Sequence, residues 1–480
     1  MNRFHRPLFA GLMALAVLAS CDTVEEPTAP TPLLHEKEDH QDCGADAVNC
    51  VAGLDHPAVY ANSKNLHFMG FSSRSVPNGT SAFNSDLAFW GQTAYQGTYE
   101  GFRIIDISQP DNPVEVLNYT GCDGGTNGGA QGDLVIWNNL LIRTWDAPAN
   151  SAGQCAGQAV GVGFQGLHVF DIGNHLAPQL VASIDLPCGS HTAMGVPDPA
   201  NGRLLIYSSP SSTTIGCRGL DIVEIPLASP VDARYLRFEP TARDLGELGR
   251  PCHDGAVILG TVNLLACAGG NGFTMWSMSQ SAGGSLEDPM FLYSQQVPGV
   301  TVGHSAAFTW DGEVLIFGHE PGGGGAARCQ ATGNPTDRSL FFFKARTGDP
   351  LGSFVMPRAQ TARENCTWHY YNVVPVDGRY VLVAGNYQSG ISVVDFTDPA
   401  SAREIAFADP DPLVHPTLPN GIVVGGDWSA YWYNGFIYES DIRRGLAVWR
   451  LSDHTVAGAS RLEHMNPQTQ LTSAPLRGKP

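Results

Sequence analysis

Gly101-Phe-Arg-Ile-Ile-Asp-Ile-Ser108 decides the fold, because the chain says it again six times. The other copies open at Gly166, Gly219, Gly272, Ser339, Gly390 and Gly445, at spacings of 51 to 67 residues. Each is rich in β-branched and aromatic residues, and most open on glycine and close at a turn-former, as a short buried strand reads. Self-similarity at this period marks a radial or stacked repeat, since one such unit cannot bury its own apolar face.

Outward from each phrase the unit completes itself. Apolar runs follow after a turn, as at Pro113-Val-Glu-Val-Leu117 and Arg403-Glu-Ile-Ala-Phe407. Two strands precede it, joined by hairpin turns such as Asp377-Gly378, Asp311-Gly312 and Asn434-Gly435. The expected unit is a four-stranded antiparallel meander, the blade of a seven-bladed all-β propeller. An open stack of β-sandwiches is the alternative. After Ser452 the chain turns polar, so the seventh unit lacks a fourth strand, while Asn65–Ser72 is an orphan strand upstream of the first. Pairing the two removes two open sheet edges, so the ring is expected to close through its N-terminal strand.

The phrase Gly-Leu-x-Val-x-Asp-Ile, followed by an Asp/Asn-Pro turn as in Asp106-Ile-Ser-Gln-Pro-Asp-Asn-Pro113, resembles the LVIVD repeat. The match is good in units one, two and six and looser elsewhere. The resemblance implies a bacterial, secreted or surface-associated propeller and no settled activity.

The N-terminus predicts location. A basic start (Arg3, Arg6), a short apolar run and Leu18-Ala19-Ser20-Cys21 read as a secretory signal over residues 1–20. The junction is similar to a bacterial lipobox, in which the Cys21 thiol is diacylated and anchors the mature chain to a membrane. The expected location is therefore the cell envelope, outside the cytoplasm. Residues 21–60 read as an acidic, Pro-rich stalk, 61–455 as the propeller and 456–480 as a polar, loose C-terminal tail.

Of 11 cysteines, removing Cys21 leaves an even ten, which suits an oxidising compartment. Spacing alone does not settle connectivity. Cys122, Cys188, Cys252 and Cys366 precede first strands. Cys155, Cys217 and Cys329 fall between second and third strands, with Cys267 at the end of a second strand. In a propeller both loop classes emerge on one face, which favours Cys122–Cys155, Cys188–Cys217, Cys252–Cys267 and Cys329–Cys366, with Cys43–Cys50 in the leader.

The formal charge of −19, and the lack of a Lys/Arg cluster, argue against a nucleic-acid partner. No Gly-x-Ser-x-Gly elbow, P-loop or dinucleotide fingerprint is present, and His319-Glu320-Pro is not His-Glu-x-x-His. Gly322–Gly325 reads as a flexible loop. One pattern carries chemistry. Four consecutive first strands open near histidine, at His191, His253, His304 and His369. Innermost strands line the channel, so these imidazoles are candidate ligands for a transition metal at its mouth. Asp254, His319 and Glu320 are candidate further ligands or bases, and Trp368 and Trp428 candidate stacking surfaces for a glycan or peptide. The competing reading is structural. A Gly-His pair such as Gly303-His304 holds its own blade by a hydrogen bond, as in WD40 repeats.

Two functions follow. The first is a monomeric, membrane-anchored binding or scaffold protein for a protein or glycan ligand, with no cofactor required. The second is a metal-dependent, oxidoreductase-like enzyme, by analogy of fold and histidine placement.

Overall fold

The computed structural model describes residues 54–74, 83–124, 131–241, 250–415, 418 and 421–472. The readings that fall on residues 1–53, including Cys21 and Cys43–Cys50, lie outside them.

The chain lays down antiparallel four-stranded meanders in sequence order, over residues 84–119, 134–185, 192–240, 254–296, 303–355 and 370–409. A further meander, over 427–451, supplies three strands of its own. Its outer strand, Gly445–Leu451, pairs antiparallel with Leu66–Ser73. The repeated phrase is the third strand of every unit, as in Gly101–Asp106, Gly166–Asp171 and Ser339–Lys344. Its opening glycine has a packing cause. A Cβ on Gly101 would lie 1.9 Å from the Tyr119 carbonyl oxygen, and one on Gly272 1.9 Å from that of Gln295. The fourth strand thus approaches too closely for any side chain.

First strands lie against one another in succession. Asn84–Trp90 meets Leu134–Trp137, and so on through Thr192–Asp198, Asp254–Leu259, Gly303–Phe308 and Tyr370–Val373 to Asp427–Tyr433, which returns to Asn84–Trp90. The fold is a β-propeller. The apolar core sits between neighbouring sheets, as where Val135, Ile142, Leu167 and Val169 pack on Leu204, Ile206 and Val223. Each such fully buried residue contributes roughly 1.5–3 kcal/mol. The aromatic run Tyr431, Trp432 and Tyr433 is buried in the same way.

Four disulfides form, Cys122–Cys155, Cys188–Cys217, Cys252–Cys267 and Cys329–Cys366, each a pair that the loop positions favoured. They suit an oxidising, extracytoplasmic setting. Among the described residues no helix is long and apolar enough to cross a membrane.

The expectation of a loose tail is corrected for residues 461–472, which cross the channel at the C-terminal ends of the first strands. His464–Met465 pairs antiparallel with Trp90 and Phe89, and Thr469–Leu471 runs parallel to Val257–Leu259. Asn466 accepts from Ile136 N at 2.7 Å and donates to Ile136 O at 2.9 Å. Gln470 accepts from Phe308 N at 3.2 Å and donates to Phe308 O at 2.8 Å. Innermost strands carry unpaired edges, and this strap satisfies several of them with side-chain amides that imitate a peptide.

Candidate metal centre in the channel

The opposite mouth, at the N-terminal ends of the first strands, holds the histidines. Main-chain bonds extend each hairpin by one residue and fix three of them: His191 N donates to Ser209 O, His253 N to Ala268 O and His369 N to Gly385 O. Ring centroids are 4.3 Å apart for His191 and His253, 4.2 Å for His253 and His304, and 4.4 Å for His304 and His369. Four consecutive units thus bring their imidazoles into one continuous row.

Glu320, just past the second strand Val314–His319, joins the row. Its Oε2 is 3.7 Å from His304 Nε2 and its Oε1 3.8 Å from His369 Nε2. Ligand atoms of His253, His304 and Glu320 all lie within 4.8 Å of one another. With metal–ligand bonds of about 2.0–2.2 Å, such a set needs only small rotations to share an ion. Two outer contacts orient the rings. His369 Nδ1 donates to the Trp428 carbonyl, which turns Nε2 towards Glu320. His191 Nδ1 contacts Asp146 Oδ1 at 3.0 Å. A carbonyl or carboxylate behind the imidazole is the usual support of a ligating histidine.

Electrostatics favour neutral imidazoles. Burial, reinforced by neighbouring rings, drives His253 and His304 well below the usual range, and burial brings His369 to about 3. For His191 burial also opposes the charge, but Asp146, with Glu320 and Asp254, outweighs it and raises the pKa. Burial lifts Glu320 to about 7 and Asp254 to about 8. The Nδ1 atoms of His253 and His304 are buried without a hydrogen-bond partner. The His304 ring also makes a hydrogen bond to the backbone of His369, in the neighbouring blade.

Not every candidate joins the centre. Trp368 is fully buried in the core and donates Nε1–H to the Arg338 carbonyl, so it offers no face to a ligand. Trp428 packs edge-on against His369 at 4.8 Å and is 7% exposed, so it acts as wall rather than platform. His319 accepts from Thr301 N through Nε2 and stands outside the cluster. Asp254 lies beneath the histidines, with Oδ1 unpartnered.

Several residues had no signal strong enough to single them out. Tyr387 donates to Glu320 Oε1 at 2.5 Å and holds φ 52°, a left-handed conformation that a tyrosine adopts only under constraint. A Cβ on Gly324 would lie 2.2 Å from Tyr387 Oη and 2.8 Å from Glu320 Oε1, so this one glycine packs closely on the pair, while Gly323 and Gly325 face open space. Asp86 and Asp133 form a carboxyl layer with Asp254: Tyr431 Oη and Gln468 Nε2 donate to Asp86, and Ala193 N to Asp133. Asp146 follows a second strand just as Glu320 does, and that position was its one sequence cue. His191 and Asp146 are 17% and 19% exposed, against 1% for His304 and 2% for His369. Solvent therefore reaches the row from the His191 end.

Residues 85–121 match the family model described as the LVIVD repeat. The chain carries an LVIVD repeat. No curated protein sequence matches it. Among solved structures it is similar to the β-propeller domain of Cps50 (Swd1) from Myceliophteria thermophila, at 9% identity and TM-score 0.47, over 79% of this chain and 100% of that one. It is also similar to a protein from Lactobacillus plantarum, at 10% identity and TM-score 0.49, over 85% and 96% of the two chains.

Proposed function

We propose that this LVIVD-repeat protein is a lipid-anchored, extracytoplasmic, seven-bladed propeller that binds one first-row transition-metal ion at the open mouth of its channel. The propeller fold itself suggests a binding or scaffold role, and the metal reading makes that role specific. It rests above all on His253, His304 and Glu320, whose ligand atoms lie within 4.8 Å of one another at the channel mouth. His253, His304, His369 and Glu320 form the donor set, with His191 and Asp146 at its solvent side. Imidazole with a carboxylate suits zinc, iron, copper or nickel.

The cycle of first-strand neighbours supports seven blades. Closure by the N-terminal strand is supported by a shared irregularity. The register shifts between Ile104 and Ile105, Val169 and Phe170, and Val393 and Val394, where third strands meet fourth strands, and again between Phe68 and Gly70 in the Leu66–Ser73 pairing. Leu66–Ser73 thus carries the fourth-strand bulge. Anchoring rests on Leu18-Ala19-Ser20-Cys21.

Metal analysis of protein purified without a histidine tag tests the centre. The expected result is close to one equivalent of one transition metal. Less than about a tenth of an equivalent, after growth with these metals supplied, ends the metal reading and leaves a binding role for a protein or glycan ligand.

A further inference from the structure

A second cluster of ionisable groups lies far from the histidines in chain position, where the last meander meets the N-terminal segment. Asp427, Glu439 and Asp441 are 0%, 1% and 2% exposed, and one carboxylate oxygen from each lies within 4.8 Å of the other two. Register explains the convergence: Asp427 pairs with Asp441 across the hairpin, and Glu439, two residues back, shares a face with Asp441.

Some of the oxygens are satisfied. Asp441 accepts from the main-chain N–H groups of Arg443 and Arg444 at 2.8 Å, and its other oxygen meets Arg444 Nη1 at 2.7 Å. Glu439 Oε2 accepts from Trp449 Nε1 at 2.7 Å. Glu439 Oε1 and both oxygens of Asp427 have no donor. The two carboxyls face each other, and without a cation their contact closes only through a proton held by Asp427. An independent buried group lies close enough to feel the same charges. Tyr60 is 5% exposed, its hydroxyl has no hydrogen-bond partner, and it feels the charges of Arg444, Glu439, Asp441 and Asp427. Its ring stacks on Trp449 and lies under the Arg444 guanidinium.

Three carboxylates against one guanidinium leave two negative charges uncompensated in an apolar surround of Ile437, Ala447 and Trp449. Buried charge of that kind is neutralised by protons or by a cation. We infer that Asp427, Glu439, Asp441 and the Tyr60 hydroxyl form a site for one calcium ion, which ties the N-terminal segment to the last meander. The donors are all oxygen, the choice of a hard cation, and bonds of about 2.3–2.6 Å match the span of the cluster. Two positive charges balance the site. Without a cation, burial raises Asp427 well above the carboxylate range and lifts Glu439 to about 7, so protons compete with the ion. The site needs none of the channel histidines.

The test uses full-length, tag-free protein stripped with a chelator, melted with calcium, with magnesium or with neither, at about 1 mM ion. Calcium is expected to raise the Tm by at least ~2 °C, saturably and more than magnesium does. D427N and E439Q keep the shape of the site and are expected to lose that shift while keeping the parent's transition-metal content. A variant lacking both His253 and His304 is expected to keep it, which separates failure here from failure of the channel centre. No calcium binding by the stripped parent, in a melt or by calorimetry, overturns the inference whether or not the variants fold. A shift that survives in both D427N and E439Q overturns the location.

Discussion

His253 and His304 differ from the chain's other histidines with a buried, unpartnered Nδ1 in one respect: their ligand atoms lie within 4.8 Å of each other and of Glu320. Replacing either by Ala removes no hydrogen bond through Nδ1, so the apo protein should melt within a few degrees of the parent, while bound metal should fall several-fold. Quantifying metal and Tm on the same samples checks this. A loss of roughly 1–3 kcal/mol with unchanged metal would instead support the blade-holding role. Asp133 gives a test at the same scale. Burial, with Asp86 and Asp254 nearby, raises its pKa well above normal. Its protonated form contributes stability that is fully present below the ordinary value of about 3.9 and is lost as pH rises through the raised one. D133N keeps a neutral side chain, so the parent's Tm should fall relative to D133N as pH increases from about 4. Parallel curves would mean that Asp133 ionises freely. The four histidines were legible because each opens a first strand, and strand position fixes where a side chain points. Tyr387 was not, because its role depends on a left-handed backbone that no neighbouring residue type announces.

At the scale of elements the strap is the instructive case. Residues 461–472 read as part of a loose polar tail because a run with no apolar period gives no sign of packing. In the structure the amides of Asn466 and Gln470 complete strand edges and that of Gln468 donates to Asp86, uses that composition cannot distinguish from exposure. N466A leaves the Ile136 N–H and C=O without their partner, and Q470A does the same at Phe308. Each should cost roughly 1–3 kcal/mol, and amide exchange at Ile136 and Phe308 should speed up in the respective variant. Unchanged exchange at both amides would show that the strap merely lies on the surface. By contrast the third strands were readable throughout, since β-branched and aromatic content and an opening glycine have direct packing causes at Gly101 and Gly272.

For the whole molecule, the repeat made the propeller readable and the paired loop classes made the four disulfides readable. Function was less so, because a row of imidazoles acquires meaning only when the units are set side by side. Deleting residues 66–73 should expose the edge of Gly445–Leu451 and weaken cooperative unfolding, with aggregation rising. A variant that melts within a degree or two of the parent would show that this pairing is dispensable. Replacing Cys21 by Ala should release the protein from membranes, and a variant that stays bound with an acyl label would refute the anchor. The account's central claim is a metal held by His253, His304, His369 and Glu320, and anomalous diffraction from crystals of metal-loaded protein, collected across the absorption edge of the metal found, tests it most directly. The account predicts one strong peak within bonding distance, about 2.0–2.2 Å, of those imidazoles and the Glu320 carboxylate. A channel mouth without a peak, or a peak bound only elsewhere on the protein, would contradict it.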